Sequence, residues 1–271
     1  IEAYAGTGKT TTVIEAVIRL ARLHPERRIL ITAFNKKNAE ELQARINAAG
    51  LDPKKVQAKT LHSIGNSTIR KNTKGRVNVD KKKNQNYCKM VANNWNDSQP
   101  EEKQIKALDK KLYELSSKMK ATLTSSTYEW GVKQLIFRFG IADETREVDV
   151  LCKLIPEAIG LAKADRKTID FDDMMWFHWA HKMWPWQYDD VFVDEAQDMN
   201  PCQLKLAQKC VKKGGRLIAV GDQYQAIYGW RGADSDFMNR MVEEVEADVY
   251  KLPISYRCGK KIAQEVINRF I

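Results

Sequence analysis

An α/β fold, with a parallel sheet flanked by helices and an inserted, mainly helical subdomain, is what this sequence of 271 residues predicts. Three observations carry that reading. The chain opens on "IEAYAGTGKTTT", which reads as an apolar strand end (Ile1 to Tyr4), a tight turn with Gly6 and Gly8, then Lys9, Thr10 and a helix. Short apolar runs afterwards alternate with helical patterns. Carboxylates or turns close several of those runs, and open parallel sheets hold their ligands at such strand ends.

Taken in order, the first helix carries Val13, Ile14, Val17, Ile18 and Ala21 at helical spacing, the pattern of a core-packing face. "RILITAF" (Arg28 to Phe34) is a strand, and Asn38 to Ile46 a helix with Ala39, Leu42 and Ile46 inward. From Asn66 to Lys163 the strand signal vanishes, and "EEKQIKALDKKLYELSSKMKATL" is the clearest helix of a lysine-rich stretch. The strands return with "DVFVDE" (Asp190 to Glu195), "RLIAVGD" (Arg216 to Asp222) and "DVYKL" (Asp248 to Leu252). Residues 1–65 and 164–271 are therefore expected to form the α/β lobe, with 66–163 inserted into it. The segment "MMWFHWAHKMWPWQY" gathers Trp176, Trp179, Trp184 and Trp186. Helix-to-sheet packing is the expectation for this cluster, and a base-stacking platform the alternative.

The opening loop has the chemistry of a phosphate site. Small residues let successive backbone N–H groups curl around an anion and deliver it to the positive end of the next helix. Ala5, Gly6, Thr7, Gly8, Lys9, Thr10 and Thr11 are the candidate ligands, Lys9 adding a mobile charge and Thr10 a hydroxyl for Mg²⁺. The pattern here is A-x-x-x-x-G-K-T, with Ala3 where the usual signature has glycine. A partner carboxylate is available in "DVFVDEAQD", where Asp194 ends a buried strand and can hold the metal. Adjacent Glu195 can polarise an attacking water.

Composition narrows the setting. Five cysteines without metal-ligand spacing suggest reduced, intracellular thiols. No apolar run approaches membrane-spanning length. The net charge of +10 is concentrated: Asn66 to Lys120 holds fourteen Lys or Arg against six Asp or Glu. Such a block suits a phosphate backbone, and equally a solvated surface.

The pairing of "AGTGKT" with "VDEAQD" resembles the superfamily 1 helicases of the UvrD/Rep type. "TAFNKKNAEEL" (Thr32 to Leu42), "TLHSIG" (Thr60 to Gly65), "IDFDDM" (Ile169 to Met174), "VGDQYQAIYGWRGAD" (Val220 to Asp234) and "LPISYRC" (Leu252 to Cys258) follow in the family's order. The resemblance implies a RecA-like P-loop NTPase lobe and ATP with Mg²⁺ as cofactors. It assigns Gln225 to sensing the terminal phosphate, Arg257 to contacting it and Tyr256 to stacking on adenine. It places Asn35, Lys36, His62, Tyr228 and Trp230 against nucleic acid. The implied activity is an ATP-dependent, 3′ to 5′ translocase and helicase on single-stranded DNA in preference to RNA, with accessory replication or repair proteins as further partners. The alternative is an ATP-binding, nucleic-acid-binding module without autonomous helicase activity.

Two of the family's parts would fall outside these residues: the adenine-reading glutamine segment before Ile1, and the second motor lobe after Ile271. The sequence therefore reads as one cut from something longer, whose isolated turnover is expected to be weak or absent. Intracellular residence follows from the same reading, cytoplasmic in a bacterium or phage and nuclear in a eukaryote.

Overall fold

A computed structural model describes residues 1–3, 6–225, 237–252, 254, 259, 261 and 265. The chain runs β1 (Glu2–Ala3), α1 (Lys9–Leu23), β2 (Ile29–Ala33), α2 (Lys36–Ala48), β3 (Val56–Thr60) and α3 (Leu61–Asn72). A mainly helical stretch follows, with β4 (Asn78–Val79), α4 (Lys83–Asp97), α5 (Leu108–Thr122), α6 (Glu129–Phe139) and α7 (Thr145–Ala164). Next come β5 (Thr168–Ile169), α8 (Phe171–Ala180), β6 (Tyr188–Val193), α9 (Pro201–Cys210), β7 (Val211–Ala219), α10 (Phe237–Glu244) and β8 (Lys251–Leu252).

Four strands pair in parallel in the order β3-β2-β6-β7. β1 pairs in parallel with β8, and Ala3 N donates to Gly221 O at 2.9 Å just beyond β7. That bridge brings β1 alongside the end of β7 and extends the parallel arrangement. Alternation along the strands sorts the core into two layers. Ile29, Ile31 and Phe192 join Val13, Val17, Leu42 and Ile46 of α1 and α2. Leu30, Val191 and Val193 face the other way, into one continuous apolar cluster with α3 to α9. The helical stretch is thus packed into the same core as one face of the sheet.

Several particulars differ from the sequence reading. The apparent single helix from Glu101 is interrupted: Glu101–Lys103 is a 3₁₀ turn, and Ala107 takes a left-handed φ of 53° before α5 begins. β7 starts five residues early and β8 is only two residues long. α3 runs through the expected boundary at residues 65 and 66, packed tightly on α8: a Cβ on Gly65 would lie 1.8 Å from Met174 O. The tryptophan cluster does not pack as a unit. Trp176 is buried, but Trp179, Trp184 and Trp186 are 46%, 56% and 52% exposed. Trp176 and Trp179 both lie in α8, but of the four only Trp176 is on the face that meets the core, while Trp184 and Trp186 lie between α8 and β6.

The basic block is also split by burial. Lys81 and Lys82 are exposed, whereas Lys83 and Lys120 are buried with Nζ at 2.7 Å and 3.0 Å from the two carboxylate oxygens of Asp173. These two lysines are architectural. Among the described residues no helix is long and apolar enough to cross a membrane.

Candidate functional site

The carboxyl ends of the parallel strands gather the candidate residues. After β1 the chain turns through Gly6 and Gly8, whose φ values of 72° and 77° are left-handed and sterically free only for glycine. Gly8 is the N-cap of α1 and supplies no side-chain cap. The first-turn N–H groups of α1 are therefore left to solvent or to an anion. Ala5 lies outside the described residues.

The loop lines a cavity of about 400 Å³ with Gly6, Thr7, Gly8, Lys9, Thr10 and Thr11, closed by Glu195 and Gln225. Lys9 is buried, its Nζ 3.2 Å from Glu195 Oε2 in an ion pair that lacks hydrogen-bond geometry. Thr10 Oγ1 donates to Asp194 Oδ2 at 3.1 Å. Burial, and secondarily the charge of Glu195, holds the Asp194 carboxyl above its ordinary range, against the Thr10 hydrogen bond. A cation beside it would reverse that balance. A hydroxyl and a carboxylate at this separation are a hard-oxygen donor set suited to Mg²⁺ sharing phosphate oxygens.

Glu195 stands at the end of β6 with a φ of 54°, left-handed and costly for a non-glycine residue. Gln197 restrains it. Its Nε2 donates to Glu195 Oε2 at 2.9 Å, and its Oε1 accepts from Asp222 N at 3.0 Å. Gln225 Nε2 in turn donates to Asp222 Oδ2 at 2.5 Å. A hydrogen-bonded line thus runs from Glu195 through Gln197 and Asp222 to Gln225. The sequence reading gave Gln197 and Asp222 no role. Their positions inside "DEAQD" and "VGDQ", two and three residues from Glu195 and Gln225, were the available signal.

The candidate nucleic-acid residues lie at the ends of the neighbouring strands. Asn35 is the N-cap of α2, its Oδ1 accepting from Asn38 N at 2.8 Å, so its side chain already has a structural use. Lys36 is highly exposed and pairs loosely with Glu40 at 3.5 Å. His62 is half-buried, lines a small cleft with Phe34, Asp194 and Glu195, and meets the Phe171 ring edge-on at 6.0 Å. Only His62 of these three borders the acidic pair. Tyr228, Trp230, Tyr256 and Arg257 lie outside the described residues.

Comparison with known proteins identifies the family of the chain. A sequence profile described as the UvrD/REP helicase N-terminal domain matches residues 1–246. The chain is 28% identical to DNA helicase IV of Escherichia coli K12, the alignment covering 98% of this chain and 44% of that protein. It is 26% identical to the ATP-dependent DNA helicase Rep of the same organism, over 95% of this chain and 39% of the other. Against the F-box DNA helicase protein 1 of Schizosaccharomyces pombe it is 25% identical, over 97% and 30%. The chain spans less than half the length of these relatives.

Proposed function

The chain belongs to the UvrD/REP helicase family, and from that premise we propose that it is the nucleotide-binding lobe of an ATP-driven translocase and helicase acting on single-stranded DNA. The sheet elements in 1–65 and 164–271 form a RecA-like P-loop motor lobe in this reading, and 66–163 a helical insertion. One observation carries it: among the described residues, a buried lysine on a glycine-rich loop is held by an imperfect ion pair to Glu195 alone, beside the Thr10–Asp194 pair.

In this mechanism the α1 amides and Lys9 take the terminal phosphates. Lys9 exchanges Glu195 for phosphate oxygen, which releases Glu195 to accept the proton of the attacking water. Thr10 and Asp194 would hold Mg²⁺, which would supply neutralisation of phosphate charge. Gln225, now hydrogen-bonded to Asp222, exchanges toward the terminal phosphate and returns when it leaves. Gln197 and Asp222 carry that change to Glu195. Arg257 contacts the phosphate and Tyr256 stacks on adenine in the same scheme. Asn35, Lys36, His62, Tyr228 and Trp230 meet the DNA, with movement in the 3′ to 5′ direction carried over from the family.

Lys9→Ala tests the reading, because it removes the one cation that the loop itself supplies. In the full-length protein, ATP hydrolysis with single-stranded DNA should fall to background while the melting temperature stays close to wild type. Retained DNA-stimulated hydrolysis in this variant would refute the assignment. In the full-length protein, ATP binding by wild type with no turnover, with or without DNA, would favour the non-motor module.

A further inference from the structure

The amino-terminal end of the sheet, opposite the glycine-rich loop, carries a surface that the proposed ATP chemistry does not use. Trp179, Trp184 and Trp186 are about half exposed there. An indole buries a large apolar area when it packs, so three left open on one face mark an interaction surface better than a lone exposed residue would. Three clefts run together beneath them. The largest, about 640 Å³, shares Trp179 and Lys209 with a second, which shares Gln187 with a third beside Trp186. Lys163, Lys182, Lys209 and Lys213, with Lys71 and Arg28, contribute cations; among the described lining residues the one carboxylate is Asp189.

Cations and rings are also paired. Lys71 Nζ lies 4.1 Å from the ring centre of Trp186, and Lys209 Nζ 5.4 Å from that of Trp184. Lys209 is fixed there by the carbonyl oxygens of His178 and Met183, at 2.6 Å and 3.3 Å. A unit made of one ring and one adjacent cation, repeated along a face, matches a polymer made of one base and one phosphate per step.

We propose that this face is a second binding surface for single-stranded nucleic acid, with bases stacking on Trp179, Trp184 and Trp186 and phosphates meeting the lysines beside them. Stacking on indoles tolerates any base, so the surface grips without reading sequence. It lies at the other end of the sheet from Asn35, Lys36 and His62. A strand leaving the motor track is thereby offered a separate hold.

The test is titration of a fluorescently labelled oligothymidylate into the protein. The double variant Trp184→Ala, Trp186→Ala alters two exposed rings, and its melting curve checks the fold. Its affinity should fall by about tenfold or more, with Trp184→Phe, Trp186→Phe recovering most of the loss because phenyl rings also stack. Lys182→Glu with Lys213→Glu should reduce the log–log salt slope by about 1.4, two phosphates at about 0.7 each. Unchanged affinity and slope in a folded variant overturn the inference. Displacement of the oligonucleotide by an oligoglutamate that needs Trp184 and Trp186 more than the oligonucleotide does would also overturn it, in favour of an acidic protein partner. Because this proposal rests partly on the helicase reading, Lys36→Glu is measured alongside. Loss of binding in Lys36→Glu with none in the tryptophan variants defeats the second surface and leaves the motor track standing. No loss in either defeats both.

Discussion

Two clusters of lysine and carboxylate sit within this chain and are built in opposite ways. At the loop, Lys9 faces Glu195 at 3.2 Å with no hydrogen bond to its buried Nζ, and the Glu195 side chain is 32% exposed on a left-handed backbone. Under the helical stretch, Asp173 gives one oxygen to Lys83 and the other to Lys120. Lys83 also donates to Asp165 O at 2.7 Å, and the two ammonium groups lie over the rings of Phe177 and Trp176. In the proposed mechanism the first cluster keeps a cation ready for another partner. The second leaves its charges no reason to move. Buried ion pairs gain little over apolar packing, but breaking one is expensive, so completeness separates a structural pair from one poised for exchange.

The sharpest way to break the comparison is to alter each carboxylate. Glu195→Gln keeps size and removes the proposed base, so nucleotide should still bind while hydrolysis falls by about 10²–10⁴. The thermal transition should move less than in Asp173→Ala, because Glu195 is partly exposed, its pair with Lys9 lacks hydrogen-bond geometry and the glutamine oxygen still faces Lys9. Abolished nucleotide binding would make Glu195 structural and erase the contrast.

Asp173→Ala should do the reverse. It strands two buried ammonium groups and is expected to cost about 3–5 kcal/mol of stability. Nucleotide affinity per folded molecule should be unchanged. A mild loss, measured by denaturant titration, would mean that water reaches Lys83 and Lys120.

A third, smaller effect comes through pH. Asp170 caps α8 and accepts from Asn84 N at 3.0 Å, and burial pushes its carboxyl up to about 6, with the Asp173 charge adding to it and Lys120 opposing. The folded value lies above the unfolded one, near 3.8, so the group favours the native state at low pH and that contribution is lost as pH rises through 6. Asp170→Asn cannot titrate. Relative to wild type, its stability should therefore improve between pH 4 and pH 7, by up to about 3 kcal/mol. A difference that is flat with pH would show that Lys120 compensates Asp170 completely.

The two clusters were unequally legible in the sequence. The loop is local: Gly6, Gly8, Lys9 and Thr10 are consecutive or nearly so, and their backbone demands are visible in the residue types. Asp194 and Glu195 were legible because a buried strand must end where they stand. The Lys83–Asp173–Lys120 group joins three helices far apart in sequence, and a lysine run looks alike whether one member is buried or none. The exposed tryptophans follow the same logic, since the burial of Trp179 depended on which face of α8 meets the core and that of Trp184 and Trp186 on where α8 ended. Ala107 interrupted a helix pattern that its own propensity favours, because the chain has to turn there to bring α5 against α4. Local chemistry could be read; long-range pairing could not.

Gln197→Ala gives the smallest effect and the finest test of the open cluster. The buried amide makes two hydrogen bonds, one holding Glu195 and one covering Asp222 N, and Asp222 in turn holds Gln225. Removing it leaves a buried backbone donor unpaired and frees a strained carboxylate, a cost of about 1–2 kcal/mol. If Gln197 only packs, stability should fall by that amount and hydrolysis per folded molecule should stay constant. If it links the two ends of the line, hydrolysis should fall by about tenfold, the value of one such hydrogen bond in a barrier, with nucleotide affinity little changed. Gln197→Glu sharpens the choice, since a carboxylate there faces Glu195 and Asp222 with no proton to donate. We expect it to lower hydrolysis more than Gln197→Ala does, through repulsion of Glu195. Equal effects of the two substitutions would show that the amide fills space and transmits nothing.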